Sequence, residues 1–194
     1  MKKIFTILNI WRLWPHLLMY VGDKKAIEKD LMRMGYVYNT INKGRLFALL
    51  YVLIWNIPFR NIFYYRYKHN FILCLIGKLS LKPMESLEIG GEVGEGLTVY
   101  HGNGSVIEPH KMGTNCSVWQ QVTIGRKPQP GVKIDKPTIG DNVCIYSGAI
   151  LLGNIVIGNN AEIGAGTVCI KDVPENAVVV GNPARIIRIK GESK

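Results

Sequence analysis

The sequence has few cysteines and lacks the long apolar run that a membrane-spanning helix requires. Its four cysteines (Cys74, Cys116, Cys144 and Cys169) show no Cys-x-x-Cys spacing and have no ligand-rich surroundings. A zinc site is therefore not expected, and reduced thiols in the cytoplasm fit this pattern. The apolar stretch at residues 46–55 is ten residues long, whereas a spanning helix needs about 20. These absences predict a protein without a metal cofactor that does not cross a membrane.

Acidic residues are scarce in the first 80 positions. This region has thirteen Lys and Arg residues against three acids, whereas the remainder has eleven of each, so the whole excess of +10 lies near the N-terminus. Such a basic region suits the phosphates of lipid, nucleic acid or a nucleotide-linked substrate. Because no nucleic-acid-binding motif accompanies the charge, we do not expect a nucleic-acid partner.

Residues 1–80 are predicted to be a helical, basic and apolar region. A signal peptide is not expected, because Trp11, Arg12 and the Trp14-Pro15 pair interrupt the first apolar stretch. Residues 62–69 mix aromatic and basic side chains, which is typical of segments at a membrane surface. Peripheral contact with the inner face of the membrane is one hypothesis. The alternative is that these helices pack on one another or on a neighbouring subunit.

The second half of the chain repeats every six residues. The repeat consists of Ile139, Ile145, Leu151, Ile157, Ile163 and Cys169, and four residues past the first five come Val143, Ala149, Ile155, Ala161 and Thr167. A half-buried strand would alternate with period two and a helix near 3.6, so neither explains this spacing. If each step is one short strand and a corner, three steps form a triangular coil and residues eighteen apart stack. The spacing predicts a mainly β, parallel β-helix with the repeated side chains inside.

The six-residue repeat begins at Leu87, and at two places the spacing between repeated residues is not a multiple of six. Val99 and Met112 are thirteen apart, which predicts one extra residue bulging within Gly102 to Ile107. Ile124 and Ile139 are fifteen apart, which predicts an extruded loop over residues 126–137. Departures from a regular scaffold are where function is expected. We therefore predict a helical region at 1–80, a β-helix at 81–185 and a loose polar tail at 186–194.

His101 is the candidate general base. It lies beside the predicted bulge in an outward phase of the coil, and histidine is the side chain that titrates nearest to neutral pH. His110, in the same segment, is the competing candidate. His16 and His69 lie in the helical region and are expected to be structural or interfacial.

The repeat region resembles the serine acetyltransferase branch of the hexapeptide acyltransferases, and still more the colanic acid and exopolysaccharide O-acetyltransferases. The matching segments are Gly96-Leu97-Thr98-Val99-Tyr100-His101-Gly102, Gln121-Val122-Thr123-Ile124-Gly125, Ile163-Gly164-Ala165-Gly166-Thr167-Val168 and Val180-Gly181-Asn182-Pro183-Ala184-Arg185. The resemblance implies a left-handed β-helix and a homotrimer. It also implies direct transfer of acetyl from acetyl-CoA to a hydroxyl, with His101 as general base. The residues that it implies for the CoA groove are Ser147, Ala165, Ile170, Lys171 and Arg185.

The sequence departs from the serine acetyltransferase pattern at the acceptor site. Tyr100 replaces the aspartate that precedes the family's histidine, and Ser86 replaces the carboxylate that orients it, which leaves Glu85 and Glu88 as substitutes. The Arg-His pair of the family's loop corresponds to Asp135-Lys136. Because a zwitterionic amino acid needs fixed opposite charges, we expect a sugar hydroxyl of a surface polysaccharide or its precursor as the acceptor. Serine O-acetylation for cysteine biosynthesis is the alternative, and a structural or binding module without turnover is a third.

Overall fold

The computed structural model describes residues 9–128, 130–131 and 133–191. The first eight residues of the predicted helical region and the last three residues of the predicted tail therefore lie outside the described residues. The chain forms two compact units, Met1–Met84 and Glu85–Lys194. The first unit is helical and the second is a parallel β-helix, so the predicted fold class is confirmed.

The described part of the first unit contains five α-helices joined by short turns of 3₁₀-helix. The helices are α1 (Trp14–Gly22), α2 (Glu28–Val37), α3 (Arg45–Trp55), α4 (Ile57–Arg66) and α5 (Phe71–Ser80), and the 3₁₀ turns are Ile10–Leu13, Lys25–Ile27 and Ile41–Lys43. Proline lies in the first turn of α1 and of α4, where its missing N–H costs no hydrogen bond. Asn56 caps α4 by accepting a hydrogen bond from Phe59 N–H at 2.8 Å.

An aromatic core and one buried ion pair hold these helices together. Phe59, Phe63 and Tyr67 of α4 and its C-terminal turn are fully buried. Arg66 donates two hydrogen bonds to the buried Asp30 carboxylate of α2, at 2.8 and 3.0 Å. Because water does not reach this site, each charge is compensated by the other, and the two hydrogen bonds fix the orientation of α4 relative to α2.

No single described helix is long and apolar enough to cross a membrane, although α3 and α4 together pass the same test as a pair bent by 116°.

Fifteen strands form the second unit. They are β1 (Leu87–Ile89), β2 (Glu92–Val93), β3 (Thr98–Val99), β4 (Ser105–Ile107), β5 (Lys111–Met112), β6 (Ser117–Val118), β7 (Thr123–Gly125), β8 (Thr138–Ile139), β9 (Cys144–Ile145), β10 (Ile150–Leu152), β11 (Val156–Ile157), β12 (Glu162–Ile163), β13 (Val168–Cys169), β14 (Ala177–Val180) and β15 (Arg185–Ile189). Successive strands visit three sheets in turn. Sheet I is β1-β4-β7-β10-β13, sheet II is β2-β5-β8-β11, and sheet III is β3-β6-β9-β12-β14-β15. The predicted triangular coil is therefore confirmed.

The interior of the coil contains the repeated residues. All six members of the main repeat from Ile139 to Cys169 are at most 2 % exposed. The five small or β-branched residues of the second set are buried as well. Each rung stacks on its neighbours in the adjoining coils, so the apolar area of one coil is covered by the next.

Asparagines form a second ladder, at the corner where sheet II passes to sheet III. Asn142, Asn160 and Asn176 have φ of 56, 58 and 59°. The Asn142 amide donates to Asn160 at 3.2 Å, and the Asn160 amide donates to Asn176 at 3.0 Å. Asparagine tolerates this left-handed conformation better than most residues, which explains its recurrence at these turns.

The predicted bulge lies in the expected segment, but its size is different. Val99 and Ile107 are eight residues apart, whereas their stacking partners Val118 and Ile124 are six apart. The turn after Val99 therefore holds two extra residues rather than one. Ile107 and Met112 are only five apart, so the next corner is one residue shorter. The sequence distance of thirteen shows only the sum of the two changes.

The predicted tail begins too early. Residues Arg185–Ile189 form β15, which pairs antiparallel with β14. The sequence did not reveal this strand, because four of its five residues are exposed and buried and exposed side chains do not alternate along it. This strand closes the lower end of sheet III, so at least residues 186–189 belong to the β-helix unit.

Candidate functional site

The candidate base lies at the corner where sheet III passes to sheet I, which we call the III–I corner. This corner is a stack of turns, one in each coil, and backbone hydrogen bonds join each turn to the next. They run from Gln121 N–H to Asn103 O (2.9 Å), from Gly148 N–H to Gln120 O (3.0 Å) and from Gly166 N–H to Ser147 O (2.9 Å). Any group at this corner is therefore held on a rigid edge of the β-helix.

His101 occupies the centre of a tight turn at the top of the III–I corner. Gly102 N–H donates to Tyr100 O at 2.8 Å, and the φ of His101 is 63°. A three-residue turn around a positive φ is rare and strained. Strain of this kind persists only where the surrounding structure imposes it, and it is frequent at functional sites. The turn leaves the imidazole exposed on the outer edge of the coil.

Two glutamates were expected to orient His101. Glu85 lies next to the III–I corner, because the carbonyl of the following Ser86 accepts a hydrogen bond from Ser105 N–H at 3.1 Å. Glu88 lies in β1 opposite Val106, with an exposed side chain. Within the described residues, neither carboxylate forms an ion pair. Which of the two orients the imidazole therefore stays a prediction.

Three of the five residues expected to hold CoA lie at the III–I corner. Ser147 and Ala165 occupy successive turns of the stack below His101. Arg185 begins β15 opposite Val180, at the lower end of the same edge. A Cβ added at Gly166 would meet no atom within 4 Å. The corner therefore offers an open strip of backbone along which an extended ligand could lie.

Ile170 and Lys171 lie elsewhere. They follow β13, at the corner where sheet I passes to sheet II, and both side chains are exposed. This I–II corner is separated from the III–I corner by the full width of sheet I. One protomer therefore does not bring all five predicted CoA residues together.

The I–II corner also has a cavity of its own, of about 340 Å³. Its lining includes His110, Arg126, Lys133, Asp135 and Lys136. The described part of the loop at 126–137 folds back on the coil here, where Lys127 N–H donates to Asp135 O at 3.0 Å and His110 N–H donates to Pro137 O at 2.9 Å. His110 and His101 thus lie at different corners, and they do not form one site within a protomer.

This cavity has fixed charges of both signs. Lys136 Nζ lies 2.8 Å from Glu108 Oε1, and Arg126 Nε lies 3.8 Å from Asp135 Oδ1. The family's Arg-His arrangement is absent, as the sequence indicates, but charges of both signs are present around the cavity. The Asp135-Lys136 pair differs from the family's Arg-His pair, but Glu108 and Arg126 add a carboxylate and a guanidinium from neighbouring segments.

Sequence reasoning missed a stack of aromatic rings beside His101. The rings of Tyr100 and Trp119 lie 4.6 Å apart at 23°, and those of Trp119 and Tyr146 lie 4.6 Å apart at 36°. All three are partly exposed on the outer face of sheet III. Their sequence separations are 19 and 27 rather than 18, because the bulge and the loop intervene. Alignment of the coils by their interior residues would have revealed the stack.

Neither Cys169 nor Cys116 is suited to carry an acyl group. Both are at most 1 % exposed inside the coil. Burial raises the pKa of Cys169 to about 11. A thiol with this pKa is not ionised near pH 7, and the thiolate is the nucleophilic form. The imidazole of His101 is the better-placed reactive group on this unit.

The stacked six-residue coils and the exposed histidine define a class of protein, the transferases built on hexapeptide repeats. Residues 136–171 match the family described as bacterial transferase hexapeptide (six repeats). A serine acetyltransferase of Bacillus pumilus is 37% identical over 170 residues, which cover 86% of this chain and 75% of that protein. The chain belongs to the serine acetyltransferase family of hexapeptide-repeat acyltransferases.

Two further relatives show how far the similarity extends. A serine acetyltransferase of Synechococcus elongatus is 43% identical over 103 residues, which cover 53% of this chain and 42% of that protein. The crystal structure of a serine acetyltransferase of Neisseria gonorrhoeae has a TM-score of 0.67 and 29% identity, covering 88% of this chain and 68% of that one. This chain spans about half the length of several curated relatives that it matches, from 42% to 60%. The closer kinship with colanic acid and exopolysaccharide enzymes stays a prediction.

Proposed function

We propose that this protein is an acetyl-CoA-dependent O-acetyltransferase whose acceptor is L-serine. The observation that carries the activity is His101, exposed at a strained turn above an open strip of coil backbone. The acceptor is supported by the relatives, all three of which are named serine acetyltransferases. Serine thus ranks above the sugar hydroxyl that the sequence departures alone favour. The paired charges around the I–II cavity suit the carboxylate and ammonium groups of an amino acid.

His101 would act first as base and then as acid. Its unprotonated ring nitrogen takes the proton from the acceptor hydroxyl while the oxygen attacks the thioester carbonyl. The tetrahedral intermediate then collapses, the carbon–sulfur bond breaks, and the imidazolium returns the proton to the leaving CoA sulfur. No covalent enzyme intermediate is needed, which agrees with the buried, protonated Cys169.

The donor groove would require a second copy of the chain. Ser147, Ala165 and Arg185 lie at the III–I corner, whereas Ile170 and Lys171 lie at the I–II corner. In a homotrimer, the III–I corner of one subunit would face the I–II corner of the next, and both sets would line one groove. Backbone groups near Ala165 would meet the pantetheine arm, and Lys171 and Arg185 would meet phosphates.

A sugar hydroxyl of a surface polysaccharide or its precursor is the second candidate acceptor. It is favoured by the stack of Tyr100, Trp119 and Tyr146 beside His101. The C–H face of a pyranose ring packs on flat aromatic surfaces, whereas serine has no such face. A site in the cytoplasm, at the inner face of the membrane, would give either acceptor access to acetyl-CoA.

The test is CoA release by the purified full chain, followed with a thiol reagent. L-serine is compared with D-serine and with a panel of free and nucleotide-linked sugars, each at several concentrations. Saturable turnover on L-serine, with O-acetylserine detected by mass spectrometry, is the expected result. Turnover on a sugar without turnover on serine would replace the acceptor but keep the activity.

A single substitution in the aromatic stack distinguishes a serine acceptor from a sugar acceptor. Replacement of Trp119 by Leu removes the middle ring of the aromatic stack while retaining an apolar side chain. If serine is the acceptor, the KM for serine should change less than about threefold, since the amino acid makes no ring contact. A large rise in KM for a sugar acceptor alone would identify the stack as the acceptor platform.

A further inference from the structure

Helices α1 and α5 pack side by side in opposite directions. The contacts run from Arg12, whose guanidinium donates to Ser80 O at 2.7 Å, to Met19, whose sulfur lies 3.7 Å from Cys74 Sγ. Midway between them, a Cβ added at Gly77 would lie 3.3 Å from His16 Nε2. This register sets Trp14 level with Leu79, Leu18 with Leu75, and Val21 with Ile72.

Several residues of the two helices that make none of these contacts are apolar and exposed. We call this surface the α1/α5 face, and it consists of Trp11, Trp14, Leu18, Val21, Phe71, Ile72, Leu75 and Leu79, each of which is at least half exposed. Trp11 is 75% exposed and Leu79 is 79% exposed. Large contiguous apolar surfaces are rare on isolated proteins and mark sites that contact something else.

The two segments that form this face contain basic side chains and no acidic ones. Residues 10–22 and 68–82 contain four basic side chains, Arg12, Lys68, Lys78 and Lys82, and no acidic residue. A second copy of the same face would bring like charges together, whereas an anionic surface would be complementary. Tryptophan beside basic residues is the combination found at the boundary between lipid and water.

A cavity of about 420 Å³ lies at one end of the α1/α5 face. Arg12, Arg60 and Lys82 line it, together with apolar residues such as Leu79. Arg60 donates to three backbone carbonyls, those of Leu53, Ile54 and Lys82. Neither Arg60 nor Arg12 forms an ion pair with a carboxylate in the part of the chain that the structure describes.

Among the described residues, the guanidinium groups of Arg12 and Arg60 therefore donate only to neutral groups. Burial lowers the pKa of the Arg60 guanidinium, and the nearby charge of Arg12 acts in the same direction. A phosphate in this cavity would offset both effects, since its negative charge favours the charged guanidinium and its oxygens accept stronger hydrogen bonds than neutral carbonyls do.

We propose that the α1/α5 face lies in the interfacial layer of an anionic bilayer, with a lipid phosphate in the cavity of Arg12, Arg60 and Lys82. The two helices would lie parallel to the surface rather than cross it, because each spans only nine or ten residues. This inference concerns the helical unit alone and does not depend on the acceptor or on acetyl transfer.

The test is flotation of the purified full chain with vesicles of phosphatidylcholine alone or with about 30% phosphatidylglycerol. Binding should require the anionic lipid and fall as salt is raised, because exposed charges are screened. The double variant Leu75→Glu with Leu79→Glu should lower the affinity about tenfold or more. Lys82→Gln should lower it about fivefold on anionic vesicles.

Two matched variants control for general effects. Leu46→Glu changes a leucine of α3 that is 51% exposed, close to the 53% of Leu75, and Lys43→Gln removes an exposed charge outside the face. Both should bind vesicles within about twofold of the parent chain. Circular dichroism and acetyl transfer to a small acceptor should be unchanged in all four variants. Equal binding to neutral vesicles, or loss of an oligomer in the Leu75/Leu79 variant with unaltered flotation, would overturn the proposal.

Discussion

At the scale of single residues, left-handed backbone conformations occur both at a structural corner of the coil and at the candidate site, and the two differ in what the side chain does. Asn142, Asn160 and Asn176 have positive φ, and their amides bond one another in a ladder. His101 has a similar φ, but its side chain is exposed at a corner with no such ladder. The asparagine amides link successive coils by hydrogen bonds, whereas the conformation of His101 presents a reactive ring to solvent.

Gly158 shows how closely the coils approach each other. An added Cβ would lie 2.3 Å from Glu175 N and 2.7 Å from Pro174 C, both of which are backbone atoms. Gly158→Ala should therefore lower the free energy of unfolding by about 1–3 kcal/mol, since one coil must shift. Urea titration followed by circular dichroism measures the change.

The control is Gly22→Ala, at the end of α1, where an added Cβ would meet nothing within 4 Å. This variant should be neutral or stabilising by up to about 1 kcal/mol, because alanine favours the helix. Equal effects of the two substitutions would show that the close approach of the coils is not real.

At the scale of secondary-structure elements, the six-residue spacing predicted the strands because each aliphatic residue meets the same interior. From Ile139 to Cys169 every repeated residue is buried. The same reasoning could not divide the slip between Val99 and Met112, because a sequence distance shows only the sum of a long corner and a short one. The eighteen-residue stacking does separate the I–II and III–I corners. Ser147 and Ala165 are eighteen residues apart and share the III–I corner, whereas Lys171 lies six residues further on, at the next corner.

Three helices meet at a buried histidine, which should make the helical unit sensitive to acid. His16 of α1 bonds Tyr64 of α4 at 2.7 Å, and the Tyr64 hydroxyl donates to Leu81 O at 2.9 Å, just after α5. Burial, helped by the charge of Arg60, lowers the pKa of His16 to about 4. The folded unit therefore holds the neutral ring.

The pH dependence follows from the sign of this shift. In the folded state the pKa of His16 lies below its unfolded value of 6.5. The stabilisation that the neutral ring gives to the folded unit is therefore complete above pH 6.5 and is lost as the pH falls toward 4. The loss should reach about 3 kcal/mol. Urea midpoints measured between pH 7 and pH 4 should show it for the parent chain and much less for His16→Leu. An identical slope in both proteins would assign the acid sensitivity to other groups.

At the scale of the whole molecule, the two corners of the β-helix explain why one protomer would be incomplete. His101 lies at the III–I corner and Lys171 at the I–II corner. In the proposed homotrimer, a ligand that lies between two copies of the chain would meet both. The aromatic stack lies on the outer face of sheet III beside His101, whereas the charged cavity lies at the I–II corner.

Mixed assemblies should reveal shared grooves. His101→Ala and Lys171→Glu each remove one side of the groove, so each should be inactive alone at low acetyl-CoA. In the proposed homotrimer, the co-expressed variants should recover about a quarter of the parent activity, because each mixed trimer regains one intact groove of three. Mixtures prepared from separately assembled, non-exchanging proteins provide the control. No recovery in verified mixed trimers would place the whole groove within one protomer.

The most direct test of acetyl transfer by this edge of the β-helix is the rate with His101 replaced by Ala. The turnover number should fall about 10²- to 10⁴-fold while the affinity for CoA, measured by calorimetry, stays within about twofold. Turnover within threefold of the parent chain would contradict the assignment of His101 as the general base.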